Sequence, residues 1–219
     1  MSKNYPSKEY YKNLNYYKDM HKNGYNLIDG RKRDSKDAYD GKSTLAFASI
    51  IKEIIKNENI NNMIDYGCGK ANFYKNSFNL GDKLIPPLNK FWDIDIKLYD
   101  PCYYKYSNFE NDETFDLTIC IDVLEHIPAT DIEWILDRFF KISKKFIFIN
   151  VACYEAIALL PDGGNAHINI QKPIWWSNKI AKLVKAHKEV KVICICTVKD
   201  NGKIKHIPLE YGCKTKGYL

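Results

Sequence analysis

The sequence predicts an α/β domain built on a doubly wound, mostly parallel sheet, and three observations carry that expectation. First, FDLTICID at 115–122 and KKFIFINVA at 144–152 are nearly continuous apolar runs, as strands buried on both faces of a parallel sheet must be. Second, ATDIEWILDRFFKI between them places Ile132, Ile135, Leu136, Phe139 and Phe140 at helical spacing, giving strand–helix–strand alternation. Third, Asp65, Asp100 and Asp122 each close an apolar run, and open α/β sheets collect their ligands at the carboxyl ends of strands. One such acid is explained by turn capping; three in order point to a binding cleft.

The remaining elements follow along the chain. Residues 1–44 are polar and Tyr-rich, with Gly24, Gly30 and Gly41 as punctuation; they read as one or two short helices, an extension or lid on the domain at 45–219. In 45–57, Leu45, Ala48, Ile51, Ile54 and Ile55 share a helical face. NMIDYGCGK then reads as a strand ending in an acid and a Gly-containing turn, with a helix expected to begin at Ala71. Pro86 and Pro87 break the pattern, so 81–92 is expected to be a loop. DIKLYDP at 95–101 is a strand. Trp175 and Trp176 open an amphipathic helix with Ile180, Leu183 and Val184 inward; the alternative is that the pair stacks on an acceptor. KVICICTVK and IKHIPLEYG, joined around Asn201-Gly202, read as a closing antiparallel hairpin.

Composition bounds the function. A chain of 219 residues fits one domain, or one with an appendage, and 45% hydrophobic with 27% charged residues excludes global disorder and a collagen-like fibre. The longest apolar stretch, 146–160, is interrupted by Asn150 and Glu155 and falls short of the roughly 20 residues that span a bilayer. With no apolar signal core at the N-terminus, the expected location is cytoplasmic, with no membrane partner. Seven cysteines, without CxxC or His clusters at ligand spacing, predict reduced thiols and neither a disulfide framework nor a metal site. Residues 1–42 carry a net +4 and residues 182–219 a net +6, around a centre of −4. That distribution suits a phosphate-bearing partner or simply keeps the protein soluble. The GKS at 41–43 lacks the upstream glycine of a P-loop, and no nucleic-acid motif accompanies the N-terminal tyrosines.

Ile64-Asp65-Tyr66-Gly67-Cys68-Gly69 is the chemical centre of the sequence. Its glycines let a ligand approach the backbone, and a carboxylate such as Asp100 at the next strand end can take both hydroxyls of a ribose. A nicotinamide site of the form G-x-G-x-x-G fails at Asn72. An acid two residues before the first glycine suits a ligand with a cationic ammonium, which points to S-adenosylmethionine (SAM).

IDYGCGK (64–70), YDP (99–101) and FDLTICIDVLEHIP (115–128) resemble the class I SAM-dependent methyltransferases, the last segment being similar to the D-V-L-E-H-I stretch of the ubiquinone-biosynthesis type. MHKNG (20–24), YDGKS (39–43), NVACY (150–154) and LPDGGNAHINIQKPIWW (160–176) also resemble an uncharacterised bacterial and phage methyltransferase group. The resemblance implies a Rossmann-like fold and SAM as cofactor. Asp65, Gly67 and Gly69 would hold its methionine end, Asp65 directly or through water, and Asp100 its ribose. Ile121, Asp122 and Val123 would line the floor under the sulfonium, with Tyr66 and Pro101 completing the cofactor set.

The chain departs from the family in three ways. Ala71 replaces the third glycine, Asp65 and Asp100 are 35 residues apart, and residues 101–115 are too few for a helix and a strand. The family's third strand is therefore expected to be reduced or missing, and Asn108 to Asn111 is only a region to watch for adenine contacts. His126 is the candidate general base, or a helix-opening residue; Asp162, Asn165 and His167 are candidate acceptor contacts, or turn residues. The expected acceptor is a small molecule. The alternatives are a nucleic-acid methyltransferase using the basic flanks, although the N-P-P-Y type of motif is absent, and a SAM-binding protein without transferase activity.

Overall fold

The computed structural model describes residues 6–110 and 112–213. Helix α1 (Lys8–Asn23) starts at Ser7, whose hydroxyl accepts the Tyr10 N–H, and ends at Gly24 with φ 77. A minimal hairpin of β1 (Tyr25–Asn26) and β2 (Lys32–Arg33) follows, and two 3-10 turns lead into α2 (Ala48–Asn57). Then come β3 (Asn62–Tyr66), the hairpin β4 (Phe78–Leu80) and β5 (Lys83–Ile85), and the short α3 (Leu88–Trp92). The chain closes with β6 (Asp95–Tyr99), β7 (Phe115–Ile121), α4 (Ile132–Ile142), β8 (Ser143–Ala152), α5 (Pro173–Val184), β9 (Lys191–Asp200) and β10 (Lys203–Tyr211).

The main sheet runs β10-β9-β8-β7-β3-β6. Five strands are parallel, and β10 pairs antiparallel with β9 at the edge. In chain order the parallel strands are arranged 2-1-3-4-5, so direction of progression reverses between β3 and β7. A crevice opens at such a switch point, outside the carboxyl ends of the strands.

Strand alternation builds two cores. Ile64 and Tyr66 of β3, with Ile147, Ile149 and Val151 of β8, face α4 and α5. Met63, Leu117, Ile119, Phe146 and Phe148 face α2 and α3 on the other side. Both faces are covered, which is why β7 is buried at every position. Trp176 is fully buried and Ile180 packs with it, so the tryptophan that is sealed belongs to the core. Asn201 (φ 48) and Gly202 (φ 78) turn the final hairpin, both left-handed as a type I′ turn requires.

Several expectations are corrected. No helix begins at Ala71: that residue is left-handed (φ 51), and only a 3-10 turn at Asn72–Tyr74 follows. The backbone N–H groups of Lys70 and Asn72 are drawn to the carbonyls of Tyr39 and Asp40 instead of starting a helical ladder. The 81–92 segment holds β5 and α3 rather than a loop; the prolines end the strand, and Pro87 leads into the next helix, where its missing N–H costs nothing. The 45–57 helix begins only at Ala48, after a 3-10 stretch. Residues 8–23 form one continuous helix rather than one or two short ones. As expected, the described residues between β6 and β7 form turns and no strand; Asn111 lies outside the described residues.

The N-terminal helix is tied to the domain at its first turn. Asp131, at the start of α4, accepts the Ser7 N–H at 2.7 Å and the Ser7 hydroxyl at 2.6 Å. All seven cysteines are free thiols. Among the described residues no helix is long and apolar enough to cross a membrane.

Candidate functional site

A cleft of about 840 Å³, counting its open mouth, lies at the switch point. Its floor comes from the ends of β3, β6 and β7, the three strands that the terminal acids had marked. Tyr66, Gly67, Gly69, Asp100, Pro101, Ile121, Asp122, Val123 and His126 all line it.

The turn after β3 is held rigid. The N–H groups of Gly67 and Cys68 donate to the Tyr99 carbonyl at 2.7 and 3.1 Å. Asp100 accepts the Gly69 N–H on one oxygen at 2.9 Å and the Cys102 N–H on the other at 2.8 Å. Burial raises its pKa, and those N–H groups oppose the shift. Each carboxylate oxygen keeps a lone pair for a further donor.

The glycines serve packing more directly than ligand approach. A Cβ on Gly67 would stand 2.4 Å from Val123 Cγ2, and one on Gly69 would stand 2.3 Å from the Tyr39 carbonyl oxygen. Their left-handed φ values, 91 and 59, shape the turn as well. Asp65 is absent from the lining. It is buried behind the turn, where it accepts the Tyr74 hydroxyl at 2.6 Å, and burial raises its pKa to about 7. The Asp65 carboxylate therefore does not face the cleft directly and is held behind the turn by Tyr74.

The roof comes from the segment expected as a lid, through residues that the sequence reading did not single out. Tyr10, Leu14, Tyr17 and His21 share one face of α1 and line the cleft with Tyr39. The signal was their spacing, which repeats once per helical turn. His21 lies with its Nε2 4.0 Å from an Asp100 oxygen, and burial lowers its pKa to about 4, so it is neutral at physiological pH. Neutral His21 therefore leaves the Asp100 charge available to a ligand.

The inner end of the cleft is polar. Asp122 closes β7 in a left-handed conformation (φ 61), which Asp tolerates better than most residues, and accepts the Ser43 hydroxyl at 2.7 Å. His126 Nδ1 lies 2.9 Å from the Ala166 carbonyl and 2.7 Å from the Tyr17 hydroxyl oxygen. A carbonyl only accepts, so the geometry assigns the proton to Nδ1 and the lone pair to Nε2. Burial and the neighbouring His167 lower the His126 pKa to about 4, against the pull of Asp122. His167 Nδ1 is likewise 2.5 Å from the Tyr154 carbonyl. Glu125 is wholly buried; one oxygen accepts the Ala152 N–H at 2.6 Å, and burial together with Asp122 drives its pKa well up.

The candidate acceptor contacts separate. His167 joins His126, with ring centroids 4.9 Å apart. None of the three, His167 included, is among the residues lining the cleft. Asp162 is exposed and accepts from the Tyr16 hydroxyl at 2.9 Å and from Lys12 at 3.3 Å. Asn165 bonds the backbone of Ala156 in both directions, at 3.0 and 2.9 Å, and so shapes its own loop. Asp122, His126 and His167 form a group whose ligand atoms lie within 4.8 Å of one another, a constellation that sequence spacing hid because α4 and β8 separate its two histidines. Compared with protein-family profiles, curated proteins and solved structures, the chain matches none.

Proposed function

We propose that the chain is a SAM-dependent methyltransferase acting on a small-molecule acceptor. The observation that carries this reading is the construction of the cleft floor. Asp100 offers a fixed carboxylate beside the Gly67–Gly69 turn, and no helix N-terminus stands behind that turn. A dinucleotide needs that helix end for its pyrophosphate; an adenosyl sulfonium does not. The lack of a helix at Ala71 thus favours SAM over a nicotinamide cofactor.

In this reading Asp100 takes the ribose hydroxyls. The Gly67–Gly69 turn, with Tyr66 and Pro101, holds the amino acid end and the ribose side. Ile121, Asp122 and Val123 lie under the sulfonium. Residues 1–44 act as a lid on the catalytic domain at 45–219, with Tyr10, Tyr17 and Tyr39 excluding water. Methyl transfer needs in-line alignment and a dry, preorganised site more than covalent help. His126 Nε2 brings an unprotonated ring nitrogen to the acceptor end. The roof over the cleft favours a small acceptor over nucleic acid. The free thiols suit a reducing, cytoplasmic setting.

The test is thermal denaturation with S-adenosylhomocysteine or NAD as additive. Stabilisation of several degrees by the first and none by the second is expected. Stabilisation by NAD alone would refute the reading.

A further inference from the structure

We propose that Asp122, His126 and His167 form a site for one divalent transition-metal cation at the acceptor end of the cleft. The site would hold an oxygen acceptor, which deepens the methyltransferase reading without depending on it for cation binding.

The first observation is the donor set. A carboxylate oxygen of Asp122 and a ring nitrogen from each histidine lie within 4.8 Å of one another. Donors about 2.0–2.2 Å from a shared cation in adjacent positions stand about 3–3.5 Å apart, so the set closes with side-chain movements on the order of an ångström. Two imidazoles and a carboxylate with open positions are a recognised arrangement for first-row divalent cations.

The second observation is how the imidazoles are held. Nδ1 of His126 donates to the Ala166 carbonyl, and Nδ1 of His167 donates to the Tyr154 carbonyl. Metal-bound histidines are oriented in this way, with the far N–H on a backbone carbonyl and the lone pair on the ligating nitrogen. Two imidazoles whose Nδ1 atoms are engaged by backbone carbonyls meet beside a carboxylate.

A third observation is independent of the donors. Glu125, fully buried beside them, has an oxygen with no hydrogen-bond partner. A buried carboxyl oxygen without a hydrogen-bond partner is costly, and a metal-bound water beside Asp122 would supply the missing donor. Ser43, whose hydroxyl donates to Asp122, links the site to the segment covering the Gly67–Gly69 turn.

The chemical consequence is a preference for an acceptor hydroxyl. A cation there lowers the pKa of the acceptor O–H, whose proton leaves to solvent. The acceptor oxygen then forms the O–CH3 bond while the S–CH3 bond breaks and its electron pair returns to sulfur. His126 then acts as a ligand, and the acidified hydroxyl removes the need for a general base.

The test is Mn2+ titration of chelator-treated full-length protein, followed by electron paramagnetic resonance and without SAM. One site per chain is expected. His167→Ala and Asp122→Asn should each weaken binding at least ten-fold, while His187→Asn, at a surface His–Glu pair, should not. Far-UV circular dichroism verifies folding, and His167→Gln provides a second, milder variant. No saturable Mn2+ or Zn2+ binding by folded protein would overturn the proposal, as would binding unchanged in both folded His167 variants. Unsubstituted protein that binds S-adenosylhomocysteine but takes up no metal fails this proposal alone; unsubstituted protein that binds metal without binding SAM supports it and fails the cofactor reading.

Discussion

Asp100 is the residue on which cofactor binding turns. Its carboxylate is fixed by the N–H groups of Gly69 and Cys102 before any ligand arrives, so a ribose meets a preorganised acceptor. Asp100→Ala is expected to weaken S-adenosylhomocysteine binding about 10- to 100-fold, the loss of hydrogen bonds to a charged group; calorimetry reads it, with a thermal melt to verify folding. Asp65 behaves differently. Its folded pKa of about 7 lies above the usual 3.8, so the fold favours the protonated form. Its contribution is fully present below about pH 4 and is lost as pH rises through 7. Asp65→Asn keeps an oxygen for the Tyr74 hydroxyl. It should stabilise the protein at pH 8, by at most about 4 kcal/mol, and by much less at pH 5, as melts at the two pH values would show. Asp100 and Asp122 were legible in the sequence because a strand end exposes its last side chain to the crevice. Asp65 was not, because its partner Tyr74 reaches it only through a left-handed Ala71, which no residue pattern announces.

At the scale of elements, the strands and amphipathic helices were readable and the connections were not. Strands β7 and β8 are apolar on both faces, and α4 has a clean stripe, so burial wrote their pattern directly. Helix α1 buries mainly Tyr, Asn, Met and His, a face that hydropathy does not mark, so the segment was expected as a lid while the residues that line the cleft were not singled out. Its anchor is a hydrogen-bonded clamp: Asp131, almost fully buried, holds Ser7 at both its N–H and its hydroxyl. Asp131→Ala should cost about 1–3 kcal/mol. The loss should appear first as faster amide exchange in residues 8–23, with weaker S-adenosylhomocysteine binding. Unchanged exchange in α1 would mean that the clamp does not hold the roof.

For the molecule as a whole, the arrangement of the sheet decides where chemistry can happen. Five parallel strands in the order 2-1-3-4-5 leave one reversal, and the cleft stands there. The alternation of strands and helices made this class of fold legible, and the Asn201-Gly202 hairpin was legible from its turn residues. The cluster of Asp122, His126 and His167 was not legible, because only the parallel crossover through α4 brings the loop after β8 to the end of β7. The most direct measurement is calorimetric titration of the folded protein with SAM and with S-adenosylhomocysteine. The account predicts saturable binding at one site per chain. A folded protein that takes up neither ligand would contradict it.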